Sequence, residues 1–230
     1  MKDFLAASSN YFYSDILLIA CSLLASIVGF MNRFRYRELT FFYLYPFFSF
    51  IQSTFVPAIS YLTDLSADFL DSLINLSILA FMMFEFFIVS FYYVRVLALR
   101  RFKISVIALA TIYLIFFLTD RIVANPWYRP SLESYLFQSL FVLTPAVFYS
   151  ITLIKSPPNE SLTNSPTFWI TVGTLIYFLG TLPIYIVTNF VLNDHGNIVE
   201  SSLFSINYFC YSIFFILILR AYLCKPHAKQ

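Results

Sequence analysis

Seven apolar stretches separated by short polar segments dominate the pattern of hydrophobic positions along this chain. A helix rises about 1.5 Å per residue and the bilayer core is about 30 Å thick, so roughly 20 apolar residues cross it. The pattern therefore predicts an all-α polytopic membrane protein, with residues 1–13 as an amphiphilic entry at an interface and residues 1–230 as a single transmembrane domain. The predicted seven-helix bundle has spans over residues 14–31, 39–62, 71–95, 104–119, 134–154, 167–192 and 201–222.

The charged residues separate the two sides of this predicted bundle. Alternating spans would place eleven of the fourteen basic residues on one side and nine of the twelve acidic residues on the other. Basic residues collect on the cytoplasmic side of membrane proteins, so the N-terminus is expected outside and the C-terminus in the cytoplasm. The eleven basic residues are Arg33, Arg35, Arg37, Arg95, Arg100, Arg101, Lys103, Lys155, Arg220, Lys225 and Lys229.

The third stretch carries Glu85, the only carboxylate in the middle of any apolar run. A carboxyl group in the bilayer core is costly, so such residues usually face the interior of a bundle and have a function. The alternative is a protonated Glu85 that only joins helices through a hydrogen bond, an interaction of about 1 kcal/mol in membranes. A spacing of three and four residues puts Glu85 on one helical face with other inward candidates. This face consists of Asn75, Ile78, Met82, Glu85, Val89 and Tyr92.

Polar side chains also recur at helical spacing in the second, sixth and seventh stretches. The sixth carries a stripe of threonines and tyrosines, and prolines lie inside several stretches, where they commonly kink a helix. A serine or threonine in such a place often only hydrogen-bonds its own helix or a neighbouring one. The coincidence of four stripes nevertheless predicts a polar pocket between spans two, three, six and seven. The candidate ligand-binding residues are Glu85, Asn75, Gln52, Thr174, Tyr177, Asn207 and Tyr211.

The composition excludes several classes of protein. Hydrophobic residues make up 60% of the chain and charged residues 11%, against about 25% charged in soluble domains. All five lysines lie at span ends or in tails, which excludes a retinal Schiff base in the membrane core. His195 and His227 fall in a turn and in the tail, and no catalytic motif is present. No catalytic residue, metal site, cofactor or nucleic-acid partner is therefore expected.

Two segments resemble a group of uncharacterised seven-transmembrane proteins of Bacteroidota, many of which are associated with sensor histidine kinases. The segments are FEFFIVSFYY (84–93) and PTFWITVGTLIYFLGTLPIY (166–185), and the basic exit after the third span fits the same group. The resemblance implies a membrane-embedded sensory or accessory module, and no catalytic residues carry over from this group because it has no established chemistry. The matched positions would be Glu85, Trp169, Gly173, Tyr177 and Gly180.

Three functional hypotheses follow, and a scaffold or assembly role stays open beside them. The first is a receptor-like or sensory module of the bacterial inner membrane, which binds a small or lipid-like molecule in the polar pocket. It would contact membrane lipids and signal through a histidine kinase or another cytoplasmic partner. The second is a proton- or cation-coupled transporter or channel that uses Glu85. The third is a lipid-modifying enzyme, which would need a nucleophile, a base or metal ligands that the sequence does not offer.

Overall fold

The computed structural model of the protein describes residues 2–62, 67–120, 132–155, 161–191 and 198–224. The regular structure of these residues is helical, with two short 3-10 turns at Arg37–Leu39 and Leu162–Asn164. His195 and His227 lie outside the described residues. The seven α-helices of the described part are α1 (Lys2–Met31), α2 (Leu44–Leu62), α3 (Ala67–Val96), α4 (Arg100–Thr119), α5 (Leu132–Lys155), α6 (Pro166–Val191) and α7 (Ile198–Tyr222).

Each predicted stretch corresponds to one helix, with two differences at the start of the chain. The backbone of residues 2–13 continues α1 and does not form a separate element. The second helix begins at Leu44, five residues later than predicted, because turns occupy residues 37–43. Pro46 thus lies in the first turn of α2, where its missing N–H removes no helical hydrogen bond, so it does not kink a span there.

Five helices contain segments that are long and apolar enough to cross a membrane, by length and composition. The apolar part of α1, Asp15–Met31, is shorter. Apolar side chains also cover the outer surface, as on α4, where Ile104, Ile112 and Ile115 are each more than half exposed. These features identify an integral membrane protein. The five segments are Ser72–Val96, Arg100–Thr119, Glu133–Lys155, Pro166–Val187 and Ser205–Tyr222.

Six of the helices form a closed ring. Around this ring α1 packs against α2, α2 against α3, α3 against α5, α5 against α6, α6 against α7, and α7 again against α1. The remaining helix, α4, packs on the outside of the ring against α3 and α5. The interior of the bundle therefore lies between α1, α2, α3, α5, α6 and α7.

One end of the bundle collects basic residues, and we call it the basic end. Contacts between segments distant in the chain join helix termini there. The Tyr36 hydroxyl donates to the Cys224 carbonyl oxygen at 2.9 Å, and the Tyr222 hydroxyl donates to the Leu39 carbonyl oxygen at 3.2 Å. The Arg220 guanidinium lies over the Trp169 ring. The described basic residues at the ends of these helices are Arg33, Arg35, Arg95, Arg100, Arg101, Lys103, Lys155 and Arg220.

The interior next to the basic end is filled by large aromatic and aliphatic side chains. Phe42 and Tyr92, for example, pack with ring centroids 4.8 Å apart, and both are at most 2% exposed. The interior next to the basic end is therefore closely packed. The largest fully buried side chains of the core are Leu39, Phe42, Tyr45, Phe86, Tyr92, Tyr93, Leu97, Tyr113, Ile170, Phe214, Phe215 and Tyr222.

Candidate functional site

A cavity of about 480 Å³ lies inside the ring, away from the basic end. All six ring helices contribute to its wall, and none of the described residues of α4 does. Gln52 in α2, for example, lies eight residues after Leu44, or roughly 12 Å along the helix from the basic end. The polar residues of the wall are Asp15, Gln52, Ser53, Ser77, Glu85, Tyr135, Gln138, Ser139, Tyr177, Thr181, Tyr185, Asn207, Tyr208 and Tyr211.

Glu85 lies at the inner limit of this cavity and is only 4% exposed. Its carboxyl group has two hydrogen-bond partners from other helices. The Tyr45 hydroxyl of α2 lies 2.5 Å from Oε1, and Nε2 of Gln138 in α5 donates to Oε2 at 2.7 Å. The described residues that line the cavity include no lysine, arginine or histidine. Glu85 is therefore held by hydrogen bonds, and the described part of the cavity wall offers it no cation.

The orientation of the Gln138 amide determines where Glu85 can carry a proton. Nε2 of Gln138 also donates to the Met82 carbonyl oxygen at 3.2 Å, and a carbonyl oxygen can only accept. The amide nitrogen must therefore face both groups, so Oε2 of Glu85 acts as an acceptor. A proton on Glu85 consequently belongs on Oε1, where it would be donated to the Tyr45 oxygen, since a hydroxyl can donate or accept.

Tyr45 lies where the cavity meets the aromatic core. Its side chain is completely buried, and its ring centroid lies 5.5 Å from that of Phe214, 5.8 Å from that of Phe215 and 6.2 Å from that of Tyr211. These contacts leave the Tyr45 ring little freedom to move. The hydroxyl that contacts Glu85 is therefore held in place by the packed core beneath the cavity.

Tyrosine side chains form two stacked pairs in the cavity wall. The Tyr135 and Tyr185 rings lie 4.4 Å apart at an interplanar angle of 13°, and the Tyr177 and Tyr211 rings lie 4.6 Å apart at 17°. Tyr135 belongs to α5, Tyr177 and Tyr185 to α6, and Tyr211 to α7. The wall thus combines flat aromatic rings with hydroxyl groups, a surface that suits an amphiphilic molecule.

Two buried polar atoms in this wall make no hydrogen bond within the described part of the chain. They are the hydroxyl oxygen of Tyr211, whose side chain is 7% exposed, and Oδ1 of Asn207, which is 8% exposed. The buried Ser49 hydroxyl lies close to the Tyr211 hydroxyl, so a small rotation would let these two groups meet. Buried polar groups normally have partners, so unpartnered atoms of residues that line a cavity indicate a place for water or for a ligand.

Five of the seven predicted binding residues line this cavity together: Glu85, Gln52, Tyr177, Asn207 and Tyr211. Asn75 and Thr174 are not among the described lining residues. Thr174 donates its hydroxyl to the Ile170 carbonyl oxygen of its own helix at 2.8 Å, which was the alternative interpretation of the hydroxyl stripes. The cavity also extends to α1 and α5, beyond the four spans that the sequence pattern favoured.

Three important residues were absent from the predicted binding set. The sequence shows the Gln138 amide inside the fifth apolar stretch and Tyr45 in the polar stripe of the second. Their contact with Glu85 could not be predicted, because it depends on how the helices are arranged. Asp15, at the start of the first apolar stretch, lines the cavity with Glu85. A search for polar residues at similar depth in every span would have included the first two.

Within the described residues, no group of three or more histidines, cysteines or acidic residues is placed to hold a metal ion. Cys21, Cys210 and Cys224 are free thiols. The chain matches no protein-family model, no curated protein and no solved structure. Its function must therefore be inferred from the chemistry of the cavity.

Proposed function

We propose that this protein is a receptor-like sensory module that spans the bacterial inner membrane seven times, with its N-terminus outside. A small or lipid-like molecule binds in the cavity within the outer half of the bundle. A cytoplasmic partner, such as a histidine kinase, receives the response at the basic end. The observation that carries this proposal is a cavity with unpartnered buried polar atoms above a packed core.

The position of the cavity supports binding from the outer side. The positive-inside rule assigns the basic end to the cytoplasm, and the cavity lies in the other half of the bundle. Its volume falls within the range of about 300–1,000 Å³ that is typical of small-molecule sites. Below it the aromatic core fills the interior, an arrangement that favours binding over passage through the protein.

One face of α7 connects the cavity with the basic end. Tyr211 lines the cavity, and its ring packs 4.6 Å from the Phe215 ring. Ile218 and Tyr222 follow Phe215 at helical spacing on the same face, and all four side chains of this row are buried. The Tyr222 hydroxyl donates a hydrogen bond to the Leu39 carbonyl oxygen. A ligand that displaces Tyr211 would therefore shift a rigid row of side chains toward the loop after α1. A packed row of this kind can favour one of two discrete arrangements.

A thermal-stability screen of the full chain in lipid nanodiscs tests this proposal. Small metabolites are added singly, and ligands that bind the folded state raise the melting temperature. Tyr211→Phe removes one unpartnered hydroxyl from the cavity and is expected to change the shift that a binding metabolite produces. Tyr92→Phe is the matched control, because its buried hydroxyl belongs to the core. Equal shifts in wild type and both variants would contradict the proposed site.

The orientation is tested separately with single cysteines in a cysteine-free background. Glu133→Cys and Lys155→Cys lie at opposite ends of α5, and both native side chains are exposed. In intact cells, a membrane-impermeant maleimide should label position 133 and not position 155. The reverse pattern would contradict an outer N-terminus.

Transport coupled to protons is the second candidate, because Glu85 is an intramembrane acid without a cation in the described wall. The densely packed core between Glu85 and the basic end argues against an open path. Flux measured in liposomes separates the two: pH-driven uptake that Glu85→Gln abolishes would favour transport, and ligand binding without flux would favour the sensory module.

A further inference from the structure

The charges of the cavity wall indicate which class of molecule it binds. Asp15 and Glu85 are its only charged residues among those that the structure describes, and both are acidic. A carboxylate is expensive to keep in a low-dielectric interior unless a proton or a cation compensates its charge. An anionic ligand would meet two acids and, among the described lining residues, no basic partner, whereas a cationic ligand would provide the missing positive charge.

The aromatic rings add a second reason to expect a cation. The faces of tyrosine rings attract ammonium groups, by about 0.5–2 kcal/mol per contact. Five tyrosines line the same cavity as Glu85, and they come from three different helices. A ligand with an ammonium group and an apolar body would satisfy the acid, the rings and the unpartnered hydroxyl of Tyr211. A bare metal cation would use the rings poorly and would leave most of the volume unfilled.

We infer that the ligand of the proposed receptor is a small organic cation, which binds with its ammonium group beside Glu85 and displaces a proton from that residue. This inference rests on the proposed function and assigns its ligand class. Before the ligand binds, Glu85 carries a proton on Oε1, directed at Tyr45. When the ammonium ion arrives, the Oε1–H bond breaks, the proton leaves to water, and the carboxylate pairs with the ligand. One positive charge enters and one leaves, so the charge of the cavity is unchanged.

Few other groups around Glu85 could titrate in its place. Tyrosine hydroxyls are neutral between about pH 6 and pH 8, so they do not exchange protons in this range. Asp15 is the remaining acid, and it belongs to α1. The titratable and hydrogen-bonding groups that contact Glu85, and the other titratable groups of its cavity, are Tyr45 from α2, Tyr135 and Gln138 from α5, Tyr177 and Tyr185 from α6, Tyr208 and Tyr211 from α7 and Asp15 from α1.

The test compares phenethylamine, a cation at neutral pH, with its neutral isostere 2-phenylethanol. Binding to the full chain in phosphatidylcholine nanodiscs is measured by calorimetry at pH 6, 7 and 8, in two buffers with different ionisation enthalpies. The amine should bind more tightly than the alcohol and release one proton. Its affinity should rise with pH, by up to about tenfold per unit while Glu85 starts protonated. Sodium chloride, added at constant total ionic strength in exchange for a larger organic salt, should not displace the amine, since a bare sodium ion is not the proposed ligand.

Glu85→Gln tests the role of the acid directly. The amide can donate to the Tyr45 oxygen and accept from Gln138, so it imitates the protonated residue and preserves both contacts. The variant should lose the proton release and bind the amine at least about tenfold more weakly, with unchanged affinity for the alcohol. Glu133→Gln, the same change at an exposed position on α5, should behave as wild type. Asp15→Asn should retain the proton release.

Three results would overturn the inference. Equal affinity for the amine and the alcohol would show that the charge of the ligand does not matter. If Tyr211→Phe then weakened the binding of both compounds, the proposed receptor site would still stand. Proton release that persists in Glu85→Gln would assign the exchange to another group. A failure of the amine to bind, in protein that a metabolite still stabilises, would reject the ligand class alone. If no metabolite stabilises the protein either, the proposed function fails as well.

Discussion

Replacing Tyr45 by phenylalanine removes the hydroxyl that contacts Glu85 and leaves the ring in place. The ring keeps its contacts with Phe214, Phe215 and Tyr211, at 5.5 to 6.2 Å between centroids. No cavity of appreciable size is created, because only one oxygen atom disappears. The change in unfolding free energy therefore measures the contact between the Tyr45 hydroxyl and Oε1 of Glu85.

The size of the effect depends on the protonation state of Glu85. A hydrogen bond between neutral groups contributes about 1 kcal/mol to stability, and one to a charged group about 1.5–3 kcal/mol. Interhelical hydrogen bonds in membrane proteins average about 0.6 kcal/mol and reach about 1.7 kcal/mol. We expect Tyr45→Phe to cost about 1 kcal/mol at a pH where Glu85 is protonated. At a higher pH, where the carboxylate has formed, the cost should be larger.

The assay is reversible unfolding by dodecyl sulfate in mixed lipid–detergent micelles, repeated at several pH values. In a Glu85→Gln background the amide stands in for the protonated acid, so the cost of Tyr45→Phe should be about 1 kcal/mol at every pH. Tyr92→Phe serves as the control for losing a buried hydroxyl that has no carboxyl partner. A cost of Tyr45→Phe no larger than that of Tyr92→Phe, at all pH values, would refute the proposed link between Tyr45 and Glu85.

Three further predictions concern packing, the threonine stripe and the basic end. A Cβ atom at Gly173 would lie 2.5 Å from a ring carbon of the fully buried Phe214, so Gly173→Ala should destabilise the protein in the same unfolding assay. Overpacking costs about 1–3 kcal/mol, and the higher helix propensity of alanine offsets up to about 1 kcal/mol of that cost. Thr174→Val should leave metabolite-induced shifts in melting temperature unchanged, because the Thr174 hydroxyl bonds its own helix. Cys224 is 2% exposed, and burial raises the pKa of its thiol. Maleimide labelling of Cys224 in the folded protein should therefore be slow at pH 7 and accelerate as the pH rises. Rapid labelling at pH 7 would contradict the burial of this thiol.

The hydrophobic pattern alone was sufficient to predict seven helices and the inward face of α3. Met82, Glu85, Val89 and Tyr92 are all buried, as their spacing indicated. The pattern succeeds because the length and apolarity of a segment are local properties of the chain. The start of α2 could not be predicted from the pattern. Leu39 and Phe42 are apolar because they are buried in the turns before the helix, and the pattern does not distinguish such residues from those of a membrane span.

Only the tertiary structure decided which polar residues meet. It placed α4 outside the ring, and it brought Gln138 and Tyr45 to the two oxygens of Glu85 while Thr174 turned to its own backbone. The order of helices around a ring and the rotation of each helix arise from contacts between segments far apart in the chain. A periodic pattern records which face of a helix is buried, but it carries no information on which neighbouring helix that face meets.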